Sequence, residues 1–236
     1  MSIHLMGGGR DAARGAEVWA GFVAEATERA ESAGREAPRI AVVLVGEGLD
    51  PDWYRERLTA GGACEPTVTV VPTGQTLNAT AFLDADALLI GGGHTPSYLD
   101  AVLPAVDQIR LLVADGLPYL GFSAGAMIVA DRALVGGWRI GGVEVCAEQA
   151  SEDLDELTLV AGIGLVDLAV DVHAAQRGTL SRLVAATEAG LVDGGVAIDE
   201  HTALVIGDGG LTVVGDGSVW KVTAHQDGVL VGTLGA

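Results

Sequence analysis

The sequence is poor in positive charge. Lys and Arg together number 13 of 236 residues, against 32 Asp and Glu, and the formal net charge is −19. Lys221 is the only lysine, so the remaining Lys/Arg positions are all arginine. A chain this acidic repels nucleic acid and anionic membrane surfaces. We therefore expect no nucleic-acid partner and no membrane partner.

The chain also has little cysteine and no long apolar run. Cys64 and Cys146 are too few for a disulfide framework and lack the spacing of a metal site, so we expect no metal and no cofactor. No apolar stretch reaches the roughly 20 residues of a transmembrane helix. The N-terminus, residues 1–7, lacks the basic region of a signal peptide and reads as a first strand. Together these absences predict a cytoplasmic protein.

Aromatic residues are scarce as well, at 4%, although 49% of the chain is hydrophobic. The apolar positions are filled by Ala, Val, Leu and Ile, which is typical of buried parallel strands covered by helices. A length of 236 residues provides a full core and is compatible with one large α/β domain. We predict a single domain over residues 1–236.

Predicted strands and helices alternate along the first half of the chain. Strands are predicted at residues 3–6, 39–45, 67–71, 87–90 and 117–120. Helices are predicted at residues 16–33, 51–60 and 97–114. This order predicts a three-layer α/β fold, with a doubly wound, mainly parallel sheet and helices on both faces.

The second half contains shorter elements separated by glycine. A short hairpin is expected around residues 138–140, a strand at 166–170, a helix at 178–188 and a strand at 195–198. Three Asp-Gly pairs then separate short apolar runs: Asp208-Gly209, Asp216-Gly217 and Asp227-Gly228. Asp-Gly between apolar runs favours tight hairpin turns, which predicts a C-terminal antiparallel β meander.

The most informative motif is Gly121-Phe122-Ser123-Ala124-Gly125-Ala126, between a predicted strand and a predicted helix. In that context G-x-S-x-G is the sequence form of a nucleophile elbow, in which flanking glycines allow a sharp turn that exposes the serine. The helix that follows directs backbone N–H groups at the same point, which favours negative charge. The alternative is an ordinary strand–turn–helix joint with Ser123 as the helix N-cap.

A nucleophilic serine needs a base and a third group that orients the base. His4 falls inside the first predicted strand and His225 in the C-terminal meander, where structural or exposed roles are typical. His94, His173 and His201 each follow a predicted strand, and open α/β sheets assemble their sites at that edge. Position alone does not choose among these three.

Four motifs follow one another between about residues 87 and 205, and together they resemble the peptidase E and cyanophycinase family of serine peptidases. The motifs are Gly91-Gly92-Gly93, the serine hexapeptide, Asp171-x-His173-x-x-x-Arg177-Gly178-x-x-x-Arg182-Leu183, and Ile198-Asp199-Glu200-x-Thr202-Ala203-Leu204. The turn Gly7-Gly8-Gly9 resembles the first glycine-rich turn of these enzymes. The resemblance implies a fold like that of class I glutamine amidotransferases, with serine replacing the nucleophilic cysteine.

The resemblance also implies catalytic roles. Ser123 would be the nucleophile and His173 the general base. The orienting acid differs between branches of the family: an aspartate shortly after the serine, or a glutamate in the block that here contains Glu200. Because residues 135–139 contain no acid, Glu200 is the expected third member, with Asp199 and Asp131 as alternatives.

The same resemblance implies groups that hold the substrate. The oxyanion hole would combine the N–H of Ala124 with an N–H of the triple-glycine loop, for which we expect Gly93. His94 stands where peptidase E-like members usually have Asn, and it is a candidate substrate-binding residue. Arg177 is a second candidate, since its planar guanidinium can pair bidentately with a substrate carboxylate. The alternative is that Arg177 pairs with a local acid such as Glu188.

The function implied is a serine peptidase that hydrolyses small peptides or acidic amides next to an Asp-like residue, through a Ser-His-Glu triad and an acyl-enzyme. Cyanophycinase-like members, which hold a branched aspartate–arginine polymer, usually have Gln, Phe and a second arginine where this chain has Val172, Ala174 and Thr179. A cyanophycinase-like, isopeptide or ester hydrolase on the same elbow, and a non-catalytic relative, are the alternatives. Family members commonly pair, which favours a homodimer.

Overall fold

The computed structural model describes residues 2–207 and 209–235. Within them the strands are β1 (Ser2–Met6), β2 (Arg39–Val45), β3 (Glu65–Val71), β4 (Ala87–Ile90), β5 (Tyr119–Phe122), β6 (Arg132–Gly136), β7 (Arg139–Ile140), β8 (Val143–Glu144), β9 (Thr158–Ala161), β10 (Ala169–Val172), β11 (Gly194–Ile198), β12 (Thr202–Gly207), β13 (Gly210–Gly215), β14 (Val219–His225) and β15 (Gly228–Leu234). The α-helices are α1 (Ala16–Ser32), α2 (Pro51–Gly61), α3 (Thr95–Val102), α4 (Val106–Ala114), α5 (Ala124–Met127), α6 (Ala174–Arg177) and α7 (Leu180–Glu188).

The larger sheet has seven strands in the order β13-β12-β1-β5-β4-β2-β3. The neighbours from β1 to β3 run parallel, whereas β12 pairs antiparallel with both β1 and β13. Helices cover both faces, because alternate residues of β2 enter different apolar clusters. Val42 lies in a cluster with Phe22 of α1, and Val43 lies in another with Ile109 of α4. The predicted three-layer, mainly parallel fold is confirmed.

A second sheet of four strands has the order β10-β11-β14-β15. Its first two strands are parallel and the others antiparallel, and α7 packs against it through Leu183 and Ala186. The C-terminal antiparallel strands expected from the Asp-Gly pairs are present as two hairpins. One, β12–β13, joins the larger sheet, and the other, β14–β15, joins the smaller. Asp208, in the first predicted turn, lies outside the described residues.

Two features of the middle of the chain differ from the prediction. The single helix predicted over residues 97–114 is wrong: α3 and α4 are separated by a 3₁₀ turn at Leu103–Ala105. Pro104 explains the break, since proline lacks an N–H and its ring clashes with the preceding helical turn. The strands β6 and β9, which pair antiparallel, were not predicted. The short hairpin β7–β8 lies where the glycine spacing predicted it.

The glycine turn after β1 joins the two sheets at the edge where the candidate site lies. Its Gly7 carbonyl accepts a hydrogen bond from the N–H of His173 at 3.2 Å, and the Gly8 carbonyl accepts from the N–H of His201 at 2.8 Å. Gly8 has φ +95, and a Cβ there would lie 2.3 Å from Cε1 of His173. Only glycine therefore allows this backbone to pass so close to the histidine ring.

Candidate active site

Ser123 lies on a strained turn between β5 and α5. Its φ of 54° and ψ of −108° fall in a backbone region that residues other than glycine rarely adopt. The flanking glycines are sterically required: a Cβ on Gly121 would lie 2.4 Å from the Gly125 carbonyl oxygen, and one on Gly125 would lie 2.2 Å from that of Ile90. The Ser123 side chain makes no N-capping hydrogen bond, so the turn is an elbow that presents its hydroxyl.

His173 follows β10 and faces this hydroxyl. Its backbone is left-handed, with φ 57° and ψ 39°, which turns the ring from the strand end toward Ser123. Nε2 of His173 lies 2.8 Å from Oγ of Ser123, and Nδ1 lies 2.7 Å from Oε1 of Glu200. When Nδ1–H donates to the carboxylate, Nε2 is left to accept the serine proton. The three side chains thus form one hydrogen-bonded chain.

Burial lowers the pKa of His173 below its usual value, and the positive charge of Arg177 lowers it further. The Glu200 carboxylate acts in the opposite sense, because its hydrogen bond and charge favour the imidazolium. The net direction is downward, so the ring is neutral near neutral pH and able to accept a proton.

The two alternative acids lie elsewhere. Asp199 is buried, and its carboxylate accepts hydrogen bonds from the N–H groups of Ala175 at 3.0 Å and Ser218 at 2.9 Å, and from Nε1 of Trp220 at 3.2 Å. It therefore ties α6 to the smaller sheet. Asp131 lines a separate cavity. Of the three acids considered, the structure brings only Glu200 into contact with His173.

Two backbone N–H groups beside Ser123 are available to a ligand. In the triple-glycine loop, the N–H of Gly91 donates to the Val43 carbonyl at 2.9 Å and that of Gly92 to the Tyr54 hydroxyl at 3.1 Å. Within residues 2–207 and 209–235, the N–H groups of Gly93 and Ala124 have no internal acceptor. These two groups are the donors that the resemblance implied.

Ser123 and His173 open into a cavity of about 730 Å³ that is lined mainly by polar groups. Its cationic or titratable walls include Arg10, His94 and Arg177. The same cavity is lined by a segment that we call the acidic strap, residues 148–153, which contributes Glu148, Glu152 and Asp153. The cavity therefore presents charges of both signs.

His94 anchors the strap. Its Nε2 donates to the Glu152 carbonyl at 3.1 Å while Nδ1 accepts from the Ser97 hydroxyl at 2.8 Å. The Glu152 carboxylate accepts from the N–H of Thr95 at 2.8 Å. Both Glu152 and Asp153 have positive φ, at 55° and 59°. These hydrogen bonds tie the acidic strap to the start of α3.

The two arginines of the histidine motif differ in surroundings. Arg177 is exposed, lines the cavity and, among the described residues, forms no ion pair with an acid, Glu188 included. Arg182 is buried and pairs bidentately with Asp171, at 2.9 and 2.7 Å. Its remaining nitrogen donates to the carbonyls of Gly137 and Ala150, at 3.0 and 2.6 Å. Arg182 is structural, whereas Arg177 is free to meet a ligand.

The other histidines take no part in the hydrogen bonds that link Ser123, His173 and Glu200. His4 is buried against Phe22, His225 is exposed, and the ring of His201 packs beside Gly9. Sequence reasoning missed Arg10, whose guanidinium lies over the Trp53 ring at 5.2 Å and reaches the cavity. Its position directly after the Gly7-Gly8-Gly9 turn, at a strand end, was the available signal.

None of the helices in the described part of the chain is both long and apolar enough to cross a membrane. Within residues 2–207 and 209–235, no three His, Cys, Asp or Glu side chains are grouped so that they could hold a metal ion.

The fold and the serine–histidine–carboxylate chain define an α/β protein with a nucleophile elbow. The sequence profile of peptidase family S51 matches residues 64–214, and this chain belongs to that family. A cyanophycinase from Synechococcus elongatus is 30% identical over 183 residues, which cover 76% of this chain and 48% of the relative. The chain therefore spans about half the length of that relative.

Two solved structures share the fold. The crystal structure of a peptidase from an acI-B1 Actinobacterium superposes with a TM-score of 0.67 at 17% identity, over 100% of this chain and 95% of that one. A protein from Listeria monocytogenes EGD-e gives a TM-score of 0.55 at 17% identity, over 91% and 97% of the two chains. At these identities the likeness concerns the fold alone.

Proposed function

We propose that this chain is a serine peptidase that hydrolyses small peptides next to an acidic residue, through an acyl-enzyme. One observation supports it above the others. In a member of peptidase family S51, the Ser123 hydroxyl, the His173 ring and the Glu200 carboxylate are linked by hydrogen bonds of 2.8 and 2.7 Å. A pseudoenzyme has no need to keep all three groups in this arrangement.

The proposed reaction follows from this geometry. Ser123 attacks the scissile carbonyl as His173 takes its proton on Nε2, and Glu200 stabilises the imidazolium that forms. The N–H groups of Gly93 and Ala124 stabilise the oxyanion of the tetrahedral intermediate. His173 then returns the proton to the leaving amine, which departs. Water, activated by the same histidine, hydrolyses the acyl-enzyme.

The proposed specificity depends on Arg177. Its guanidinium lines the cavity without an acidic partner among the described residues, in a chain whose net charge is −19. A carboxylate of the substrate would satisfy it by a bidentate, charge-assisted contact. This favours a substrate Asp or Glu beside the scissile bond.

A second candidate is a cyanophycinase-like activity on a substrate with both charges. The acidic strap supports it, since Glu148, Glu152 and Asp153 could receive a cation while Arg177 receives a carboxylate. The relatives at 30% identity are cyanophycinases, but this chain covers about half of their length. The residues around His173 and at Thr179 differ from the pattern usual in such members, which favours smaller substrates.

The decisive experiment combines labelling with a substrate panel. A fluorophosphonate should label Ser123 of the wild-type protein, and Ser123→Ala should prevent labelling and abolish hydrolysis without loss of fold. The panel compares Asp-X and X-Asp dipeptides, isoaspartyl peptides, the aspartate–arginine polymer and simple esters. Turnover of esters only would favour the broader acyl hydrolase. No labelling and no turnover would identify a non-catalytic relative.

Arg177→Met tests the specificity. Loss of a charge-assisted bidentate contact should lower kcat/KM on acidic substrates by roughly two orders of magnitude, and far less on their neutral amide analogues. Arg177→Lys should restore only part of the activity, because a point charge does not reproduce the planar fork. Equal losses on both substrates would contradict a role in recognising the carboxylate.

A cytoplasmic location, a homodimer and a single domain over residues 1–236 remain predictions. Light scattering of the purified protein tests the dimer. Fractionation of cells that express it tests the location. Limited proteolysis tests the single domain. A chain that folds as one unit should yield no stable fragment that corresponds to a separate domain.

A further inference from the structure

Tyr54 and Tyr98 lie beneath the triple-glycine loop, and both are fully buried. Tyr54, from α2, accepts a hydrogen bond from the Gly92 N–H at 3.1 Å. Tyr98, from α3, donates to the Gly92 carbonyl at 3.0 Å. Two phenols from different helices thus hold both polar groups of one glycine. Because neither ring reaches the surface, neither contacts a substrate.

These two hydrogen bonds also affect the N–H of the next residue, Gly93. The Gly92 carbonyl and the Gly93 N–H belong to the same planar peptide group and point in opposite directions. A hydrogen bond that fixes the carbonyl therefore fixes the direction of the N–H. The preceding peptide is held as well, since the Gly91 carbonyl accepts from the N–H of Gly125 at 3.0 Å. Of the four polar groups in these two peptides, the Gly93 N–H is the one without a partner in the described residues.

Glycine backbone does not hold such a direction by itself, because it is free to adopt many φ and ψ values. A flipped Gly92–Gly93 peptide would present a carbonyl oxygen where an N–H is needed. The Tyr98 ring also limits the loop sterically, since a Cβ on Gly93 would lie 2.9 Å from its Cε2. Burial raises the pKa of both phenols above the usual value, so both keep their protons.

We propose that Tyr98, with Tyr54 beside it, is a positioning residue that holds the Gly92–Gly93 peptide so that the Gly93 N–H faces the developing oxyanion. This inference rests on the proposed peptidase function. It adds to that function the side chains that orient one of its two oxyanion donors.

Tyr119 supplies a matched control. It is also fully buried, and its hydroxyl donates to the Gly125 carbonyl at 2.7 Å. The N–H of that peptide, on Ala126, is already bonded to the Ser123 carbonyl at 2.9 Å. Tyr119→Phe therefore removes the same kind of bond from a buried glycine carbonyl, but from a peptide with no free N–H.

The experiment compares Tyr98→Phe, Tyr54→Phe and Tyr119→Phe in the full chain. All three should lower Tm by similar amounts. Tyr98→Phe should lower kcat about tenfold at unchanged KM, less than the loss of a whole oxyanion donor, and Tyr54→Phe about threefold. Tyr119→Phe should leave kcat within about twofold of wild type. If Tyr98→Phe does not fold, kcat of Tyr54→Phe is compared with that of Tyr119→Phe instead.

A peptide aldehyde gives a readout that a purely structural role would not move. It forms a tetrahedral adduct with the serine, so its Ki should rise in parallel with the fall in kcat, while the Ki of the acid product stays constant. Equal kcat in Tyr98→Phe and Tyr119→Phe, or a loss confined to KM, would overturn the positioning role. A wild-type protein that neither hydrolyses the panel nor reacts with fluorophosphonate would instead overturn the proposed function, and this inference with it.

Discussion

The two sheets provide different halves of the candidate site and hold them by different means. The larger sheet carries Ser123 on a turn whose neighbours must be glycine, because a Cβ at Gly121 or Gly125 would strike backbone atoms. The smaller sheet carries His173 and Glu200, and two further carboxylates tie together the elements around them. Asp171 binds Arg182 behind the histidine, and Asp199 joins α6 to the start of β14. The part of the site around Ser123 depends on glycines that lack side chains. The part around His173 and Glu200 depends on polar contacts between side chains and their neighbours.

The largest effect should come from the residue that joins the halves. His173→Ala should lower kcat by about three orders of magnitude or more, as losses of a triad base do. The matched control is His201→Ala, which removes a neighbouring buried histidine with the same left-handed backbone. It should change kcat only mildly. A comparable loss in both variants would contradict the assignment of His173.

The next effect concerns the polar half. Arg182→Met should destabilise the protein by about 3–5 kcal/mol, because it leaves the fully buried Asp171 carboxylate without its partner. The double variant Asp171→Leu with Arg182→Met should recover part of that loss, since it leaves no buried charge unpaired, although the carbonyls of Gly137 and Ala150 still lose their donor. Denaturant unfolding of the two variants provides the measurement.

Gly125→Ala is the counterpart in the glycine half. Its Cβ would lie 2.2 Å from the Ile90 carbonyl oxygen, a backbone atom that no second side-chain substitution removes. We expect a destabilisation of about 3 kcal/mol or more with no such rescue. A stable Gly125→Ala protein, or an Arg182→Met loss that the double variant does not recover, would remove the contrast between the two halves.

Glu200→Gln should have a smaller effect on turnover, a loss in kcat of about two orders of magnitude. The amide still fills the space, but it stabilises the imidazolium less and permits the wrong tautomer of His173. Asp199→Asn, which changes the adjacent carboxylate, should affect stability more than kcat. The reverse pattern in the kinetics would assign the orienting role to Asp199.

The smallest and most diagnostic effect is on the pH profile of kcat/KM. His173 must be neutral to act as base, and burial together with Arg177 lowers its pKa, so activity should persist below the pH at which an exposed histidine titrates. Arg177→Met removes a nearby positive charge and should move the acidic limb to higher pH. Glu200→Gln removes a negative charge and should move it to lower pH. Shifts in the same direction would contradict this electrostatic account.

Much of the larger sheet was predictable because its strands are short apolar runs bounded by turn residues. The structure gives β2 and β4 the predicted bounds, Arg39–Val45 and Ala87–Ile90. The prediction of one continuous helix over residues 97–114 was wrong at Pro104, which lies within an otherwise helical pattern. The β6–β9 pair was missed because its partners are far apart in sequence and β6 contains a short, continuously apolar run that ends at Gly136.

The residues of the candidate site also fall into two groups, those that the sequence predicted and those that it did not. Ser123, His173 and Glu200 lie in short local motifs, and the motifs pointed to them even though position alone left three histidines open. Arg10 and the acidic strap belong to loops whose place depends on tertiary contacts, such as that between His94 and Glu152. No periodicity marks such residues, so sequence patterns did not find them.

The contacts of Asp199 also bear on when the protein becomes active during its own synthesis. The ribosome releases chains from the N-terminus at about 5–20 residues per second, and N-terminal units fold first. Ser123 emerges several seconds before Ser218 and Trp220, which hold the carboxylate adjoining Glu200. A serine without an oriented base is a poor nucleophile. We therefore expect the proposed activity to begin only once β14 has been made and has joined the smaller sheet.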